Sequence, residues 1–347
     1  MTAVMGARRK FGPRSRAVAT ASFVTSGHGN STAHRRASRI PAPTLTEPHE
    51  QRIRRRPPGW ARVLLALTAF GAAVLLSSLA YLIPPVREGL ASDDPLVAMM
   101  TTISIWPFLL SFYLLFALLL TRYVDHRPLR AAGLTLNRRA VLSLLTGTGI
   151  AVGILCCIKA VFLLLGAGEF MSPLKGDLTA MPLWLIIVYA LGLCYVSQAI
   201  GEEAVMRGYL LQSFSDRPTR AVWVSVIVFT IPHIISRGGQ QNVLERVIYL
   251  AIPFGFALAA TCLCLIMRSV WAGIGIHGGF HLATSIARIV GTSDGPINWT
   301  LTGAFYVVVA LVLASRISEQ RWVEIAERGP YAPPAASGSG ARQENSG

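Results

Sequence analysis

The chain has 347 residues, 52% of them hydrophobic and 14% charged, with a mean hydropathy of +0.50. Soluble domains carry about 25% charged residues and disordered chains need low hydrophobicity, so both classes are excluded. The net charge of +15 is concentrated before residue 63, where thirteen Lys/Arg face only Glu47 and Glu50.

Residues 1–59 read as a disordered, basic cytoplasmic tail, rich in Ser, Pro, Gly and Arg. Such a tail suits contact with anionic lipid. A nucleic-acid protein would interleave its bases with aromatics on a folded domain, so no nucleic-acid partner is expected. No apolar run follows Arg8, Arg9 and Lys10, which argues against a signal peptide there.

Eight apolar segments follow, at 61–83, 97–120, 140–166, 182–201, 221–236, 244–267, 270–290 and 299–315. Runs of this length and polarity cross a bilayer as helices. The expected fold is therefore an all-α, polytopic transmembrane bundle of about eight helices. Its parts are N-terminal membrane helices over 60–170, a core bearing the chemistry over 180–290, a last membrane helix at 298–316 and a cytoplasmic tail at 317–347. The loop at 84–96 carries Arg87 against Glu88, Asp93 and Asp94. The next carries Arg122, Arg127, Arg130, Arg138 and Arg139 against Asp125. This alternation puts both termini in the cytoplasm by the positive-inside rule. The Arg- and Ala-rich composition fits a bacterial plasma membrane. Cys156, Cys157, Cys194, Cys262 and Cys264 all fall in apolar runs without metal-binding spacing and read as small core residues. The oligomeric state is not legible.

Ionisable residues inside membrane helices are costly and point to function. The candidates are Glu202, Glu203, His233, His277 and His281, with Lys159 the odd base, placed to snorkel outward. In Gly201-Glu-Glu-Ala-Val-Met-Arg207 the spacing of Glu203 and Arg207 is i,i+4, the favourable order for an ion pair. Glu202 points about 100° away at helical pitch and stays free of that pair. His233 follows Phe229 by one turn, beside Pro232, which disturbs the helix. His277 and His281 share one face of a glycine-rich segment that admits a close neighbour. Taken singly, each pattern also suits charges at a helix end or a hydrogen-bonded core histidine. Gln198 lies one turn before Glu202, and Glu245 with Arg246 marks an outer helix start. At about 1.5 Å per residue, Glu203, His233, His277 and His281 lie about 17, 21, 11 and 17 Å above the cytoplasmic boundary. Three separate helices thus bring Glu and His to one slab. The helix holding Glu202 would run from about 181 to 214, too long for hydrocarbon alone.

The set Glu202-Glu203-x-x-x-Arg207, Phe229-x-x-x-His233 and His277-x-x-x-His281 resembles the CPBP family. This is the CAAX-protease and bacteriocin-processing group of intramembrane proteases, also called the ABI domain. The resemblance covers roughly 180–290. It implies a membrane endopeptidase acting near the cytosolic side, with a site open to the cytosol and a peptide or lipidated protein as substrate. It assigns Glu202 and His233 to water activation, His277 and position 281 to the oxyanion or a metal, and Glu203 with Arg207 to support. The family carries Asn or Asp where His281 stands. An imidazole can donate a hydrogen bond there and also suits a transition metal. Glu202, His233 and His277 would make an open zinc site with water as the fourth ligand, which would leave the general base unassigned. Two other classes fit the same residues: a non-catalytic immunity or maturation scaffold, and a proton-coupled transporter using the cluster as a relay.

Overall fold

The computed structural model describes residues 56–165, 181–289 and 295–334, with backbone alone at Arg288 and Ile289. The basic tail before residue 56 lies outside the described residues. Seven stretches are long and apolar enough to cross a membrane: α1 (Gly59–Leu82), α2 (Pro95–Val124), α3 (Arg138–Leu164), α4 (Leu183–Leu211), α5 (Pro218–Ile235), α6 (Val243–Met267) and α8 (Pro296–Ala314). Between the last two runs α7 (Trp271–Ile289). It is as long as α8, but its glycines and histidines make it more polar. The described residues are helical and contain no strand, as the apolar segments predict. The chain is an integral membrane protein.

Lipid replaces water around such a bundle, so helices are held by close packing rather than by hydrophobic exclusion. Large apolar side chains cover the outside, among them Leu75, Leu145, Trp184 and Leu311. Small residues line the helix contacts. A Cβ added at Gly147 would overlap the Ala272 carbonyl, and one at Gly275 would overlap that of Leu144, so α3 and α7 touch backbone to backbone. Gly255 and Gly303 do the same for α6 and α8. Gly147→Leu should destabilise the protein by about 1–3 kcal/mol through overpacking. A lower thermal midpoint of the detergent-solubilised protein would record it. Cys156 and Cys157 are exposed on the outside of α3 and are not core residues, whereas Cys194, Cys262 and Cys264 are buried.

The helix ends follow from local chemistry. Asn242 caps α6 by accepting from Glu245 N, and Glu245 Oε2 accepts from Gln241 N at 2.7 Å, a reciprocal cap. Asn137 caps α3 through Ala140 N. Only Arg268 and Ser269 part the apolar runs of α6 and α7, so the chain must reverse within two residues. Arg268 does this in a left-handed conformation, φ 55°, uncommon for a residue with a side chain. Both terminal nitrogens of Arg268 donate to Glu324, whose oxygens lie 2.6 Å away.

Glu324 belongs to α9 (Glu319–Arg328), an amphipathic helix inside the expected tail. Hydrogen bonding to Arg268, together with Arg321, holds its carboxyl down at about 2. Arg321 Nε donates to the Leu265 carbonyl, and Tyr331 Oη donates to that of Arg207 at 2.8 Å. Residues 317–334 are therefore docked rather than a free tail. The anchoring side chains are Arg321, Ile325 and Tyr331. At the same end, buried Asp125 accepts from Ser213 and Gln212. Burial raises its carboxyl despite the arginines nearby.

Candidate active site

Helix α4 does not hold one pitch. It widens to five-residue hydrogen bonding over Gly192–Ala199 and again over Ala204–Leu211, with one α turn, Ile200–Glu203, between. Such widened turns occur often at functional sites. Here they flank the two glutamates. The helix continues to Ser213, close to the length expected from the pattern.

Glu203 and Arg207 form the expected pair, with Nη1 2.7 Å from Oε1 and both side chains fully buried. Arg207 also donates to the Ala257 carbonyl at 3.1 Å, and its guanidinium lies 4.6 Å from the centre of the Phe229 ring. A charge taken out of water needs this degree of satisfaction. His277, 1% exposed, places Nδ1 3.1 Å from Glu203 Oε1. Glu203 therefore joins α4 to α7 as well as holding its own arginine. Room for it depends on Gly273, where a Cβ would sit 2.6 Å from Glu203 Oε2 and 2.9 Å from Cys264 Sγ. The carboxylate cannot yield without leaving Arg207. Gly273→Ala should then displace His277 through Glu203 and lower activity by about 100-fold, the cost of a small misplacement. An assay at matched membrane levels would show it.

Pro232 ends the α-helical pitch of α5, and Ile231–Ile235 tightens into a 3-10 turn. His233 is carried there, with Nδ1 2.8 Å from the Phe229 carbonyl and its ring 4.6 Å from the Phe229 ring. A carbonyl only accepts, so Nδ1 carries the proton and Nε2 of the neutral ring presents a lone pair. The same reasoning applies to His277. Its Nδ1–H donates to Glu203, so Nε2 donates only when the ring is doubly protonated. Phe229, 1% exposed, separates Arg207 from the two histidines and packs against all three.

Glu202, His233, His277 and His281 line a single cavity of about 750 Å³. Of the four residues that helix position places in one slab, His233, His277 and His281 line the cavity and Glu203 does not. The His277 and His281 ring centres are 5.1 Å apart. Glu202 Oε2 is buried and has no hydrogen-bond partner among the described residues. Gln198 lines the same wall. Lys159 lines this cavity as well, and Ser236, Arg237 and Asn298 join it. The sequence did not single out these last three, because short polar residues beside a loop carry no spacing signal. Glu203, Arg207 and Phe229 lie behind the lining.

Residues 181–283 match the family model described as Type II CAAX prenyl endopeptidase Rce1-like. Residues 181–283 are a CPBP-family domain. The match takes in Glu202, Glu203, Arg207, Phe229, His233, His277 and His281, and it ends before α8 begins. Comparison with curated proteins and with solved structures gave no match. The CPBP family is one of membrane proteases, and its domain here occupies the glycine-packed centre of the bundle.

A metal site needs three or more protein ligands directed at one point. Among the described residues, no group of three His, Cys, Asp or Glu is placed to hold an ion. Glu202, His233 and His277 share the cavity without forming such a group. The Nδ1 atoms of both histidines are committed to Phe229 and Glu203, which leaves Nε2 as the open nitrogen of each ring.

Proposed function

We propose that this chain is an intramembrane endopeptidase that hydrolyses a peptide bond in a membrane-associated or lipidated protein or peptide. The observation that carries this reading is the buried, unpartnered Glu202 Oε2 in a cavity shared with His233, His277 and His281. Oε2 is thus left for a water or a substrate group, and Arg207 is already taken by Glu203.

Glu202 acts as general base on a water in the cavity, and the lone pair at His233 Nε2 orients that water. Attack on the scissile carbonyl transfers the water proton to Glu202. The tetrahedral oxygen is met by donors from the His277 and His281 side. His277 Nδ1 is held by Glu203, which fixes the orientation of the ring in the cavity wall. The proton held on Glu202 then passes to the leaving amine. No step is routed through a metal, because the donor set does not converge.

The experiment compares peptide termini, by mass spectrometry of membrane and secreted fractions, in cells with the native protein and with His233→Ala at equal membrane levels. A small set of termini seen only with the native protein supports the reading and names the substrate. Identical termini under expressing conditions remove it. The role of His281 is separable. His281→Asn keeps an N–H donor and should retain activity within about tenfold, while His281→Ala should lose about 100-fold or more, the scale of one oxyanion donor. Equal loss in both would assign His281 to something other than donation.

A further inference from the structure

The family resemblance implies a site open to the cytosol, but the placement of this cavity's mouth points the other way. The antiparallel helices give the bundle two ends. One gathers the first turn of α1, the turn between α2 and α3, the α4–α5 turn, the α6–α7 reversal and α9. Among the described residues its loops and terminal turns hold thirteen arginines against five carboxylates. The other end gathers the α1–α2 connection, the α5–α6 loop, and the starts of α4 and α8. Among the described residues it holds Arg87, Arg237, Arg246 and Arg288 against Glu88, Asp93, Asp94 and Glu245. The positive-inside rule assigns the first end to the cytoplasm.

The cavity's loop residues all come from the second end. Ser236, Arg237, Gly238 and Gly239 are in the α5–α6 loop, and Asn298 is in the first turn of α8. Arg237 and Gly239 are exposed. Helix α6 separates that loop from Arg268 by 25 residues, about 37 Å at helical rise. Toward the arginine end the floor is closed. Arg207, Met206, Leu210 and Ile274 are fully buried beneath Glu202 and His277. A second cavity, of about 810 Å³, lies at the arginine end, and its lining shares no residue with the first.

We infer that the Glu202/His233 cavity is entered from the exoplasmic side of the membrane, opposite the arginine-rich end. Its substrate is then a polypeptide segment already presented on that side, such as the juxtamembrane stretch of a translocated or lipid-anchored chain. The substrate statement rests on the proteolytic reading above; the side of entry does not.

Membrane-impermeant maleimide labelling of Arg237→Cys and Leu136→Cys tests this, with the native protein as blank for its five cysteines. Leu136 is 79% exposed in the turn between α2 and α3. The expected result is labelling of the Arg237→Cys protein in intact cells and of the Leu136→Cys protein only after permeabilisation. Leu244→Cys, 68% exposed beside the mouth, is the second reporter if Arg237→Cys does not accumulate. The reverse pattern overturns the inference and leaves the proteolytic reading standing. Exoplasmic labelling at Arg237→Cys combined with termini unchanged by His233→Ala would keep the side of entry and remove proteolysis.

Discussion

Glu202→Gln is expected to lower the rate of substrate cleavage by about 100- to 10,000-fold, the usual contribution of a positioned general base. The amide keeps the shape of the side chain but has no basic oxygen. Among the described residues, Glu202 Oε2 makes no hydrogen bond that the substitution would break. The protein should therefore reach the membrane at native levels with an unchanged thermal midpoint. Single-turnover cleavage of a substrate found by terminus analysis, in proteoliposomes, provides the measurement. The split between kcat and KM is informative. A base acting only in the transition state lowers kcat and spares KM, whereas a substrate-binding carboxylate would raise KM. A variant with native kcat would return Glu202 to a structural or binding role and favour the scaffold reading.

The fold class was legible because the bilayer imposes a coarse rule: a long apolar run must become a helix. The site was legible for a related reason. Charged residues are rare in such runs, so Glu202, Glu203, His233, His277 and His281 stand out without any structure. The i,i+4 spacing gave the Glu203–Arg207 pair, and the one-turn spacing gave the stacking of Phe229 on His233. Features that depend on contacts distant in sequence were not legible. Nothing in the C-terminal segment announces that Tyr331 will bond the Arg207 carbonyl, because that contact spans 124 residues. The widened turns of α4 leave no compositional trace. The depth of Lys159 is readable and its facing is not. The packing of α3 against α7 decides that facing, through Gly147 and Gly275.

Arg207→Met should cost about 3–5 kcal/mol of stability, the penalty for leaving a buried charge without its partner. Glu203 is the charge in question. It is fully buried, and Arg207 is the only arginine or lysine paired with it among the described residues. Removing the guanidinium also strips a donor from the Ala257 carbonyl and a cation from the face of Phe229. The double variant Arg207→Met/Glu203→Gln should recover most of the loss, since both buried charges are then gone and the amide oxygen still accepts from His277 Nδ1. Glu203→Gln alone should be intermediate, because Arg207 keeps neutral acceptors at Ala257 and Thr261. The resulting cycle, measured by thermal or denaturant unfolding in detergent, isolates the pair from its neighbours. Additive losses would mean that the pair is uncoupled and that Glu203 is neutralised by other means. Activity should not follow stability through this cycle. In the double variant the amide that replaces the Glu203 carboxylate still accepts from His277 Nδ1, but Phe229, which packs on both Arg207 and His233, loses the cation on its face. The placement of His233 and His277 against Phe229 should then loosen, and activity should stay below native even where the fold is restored.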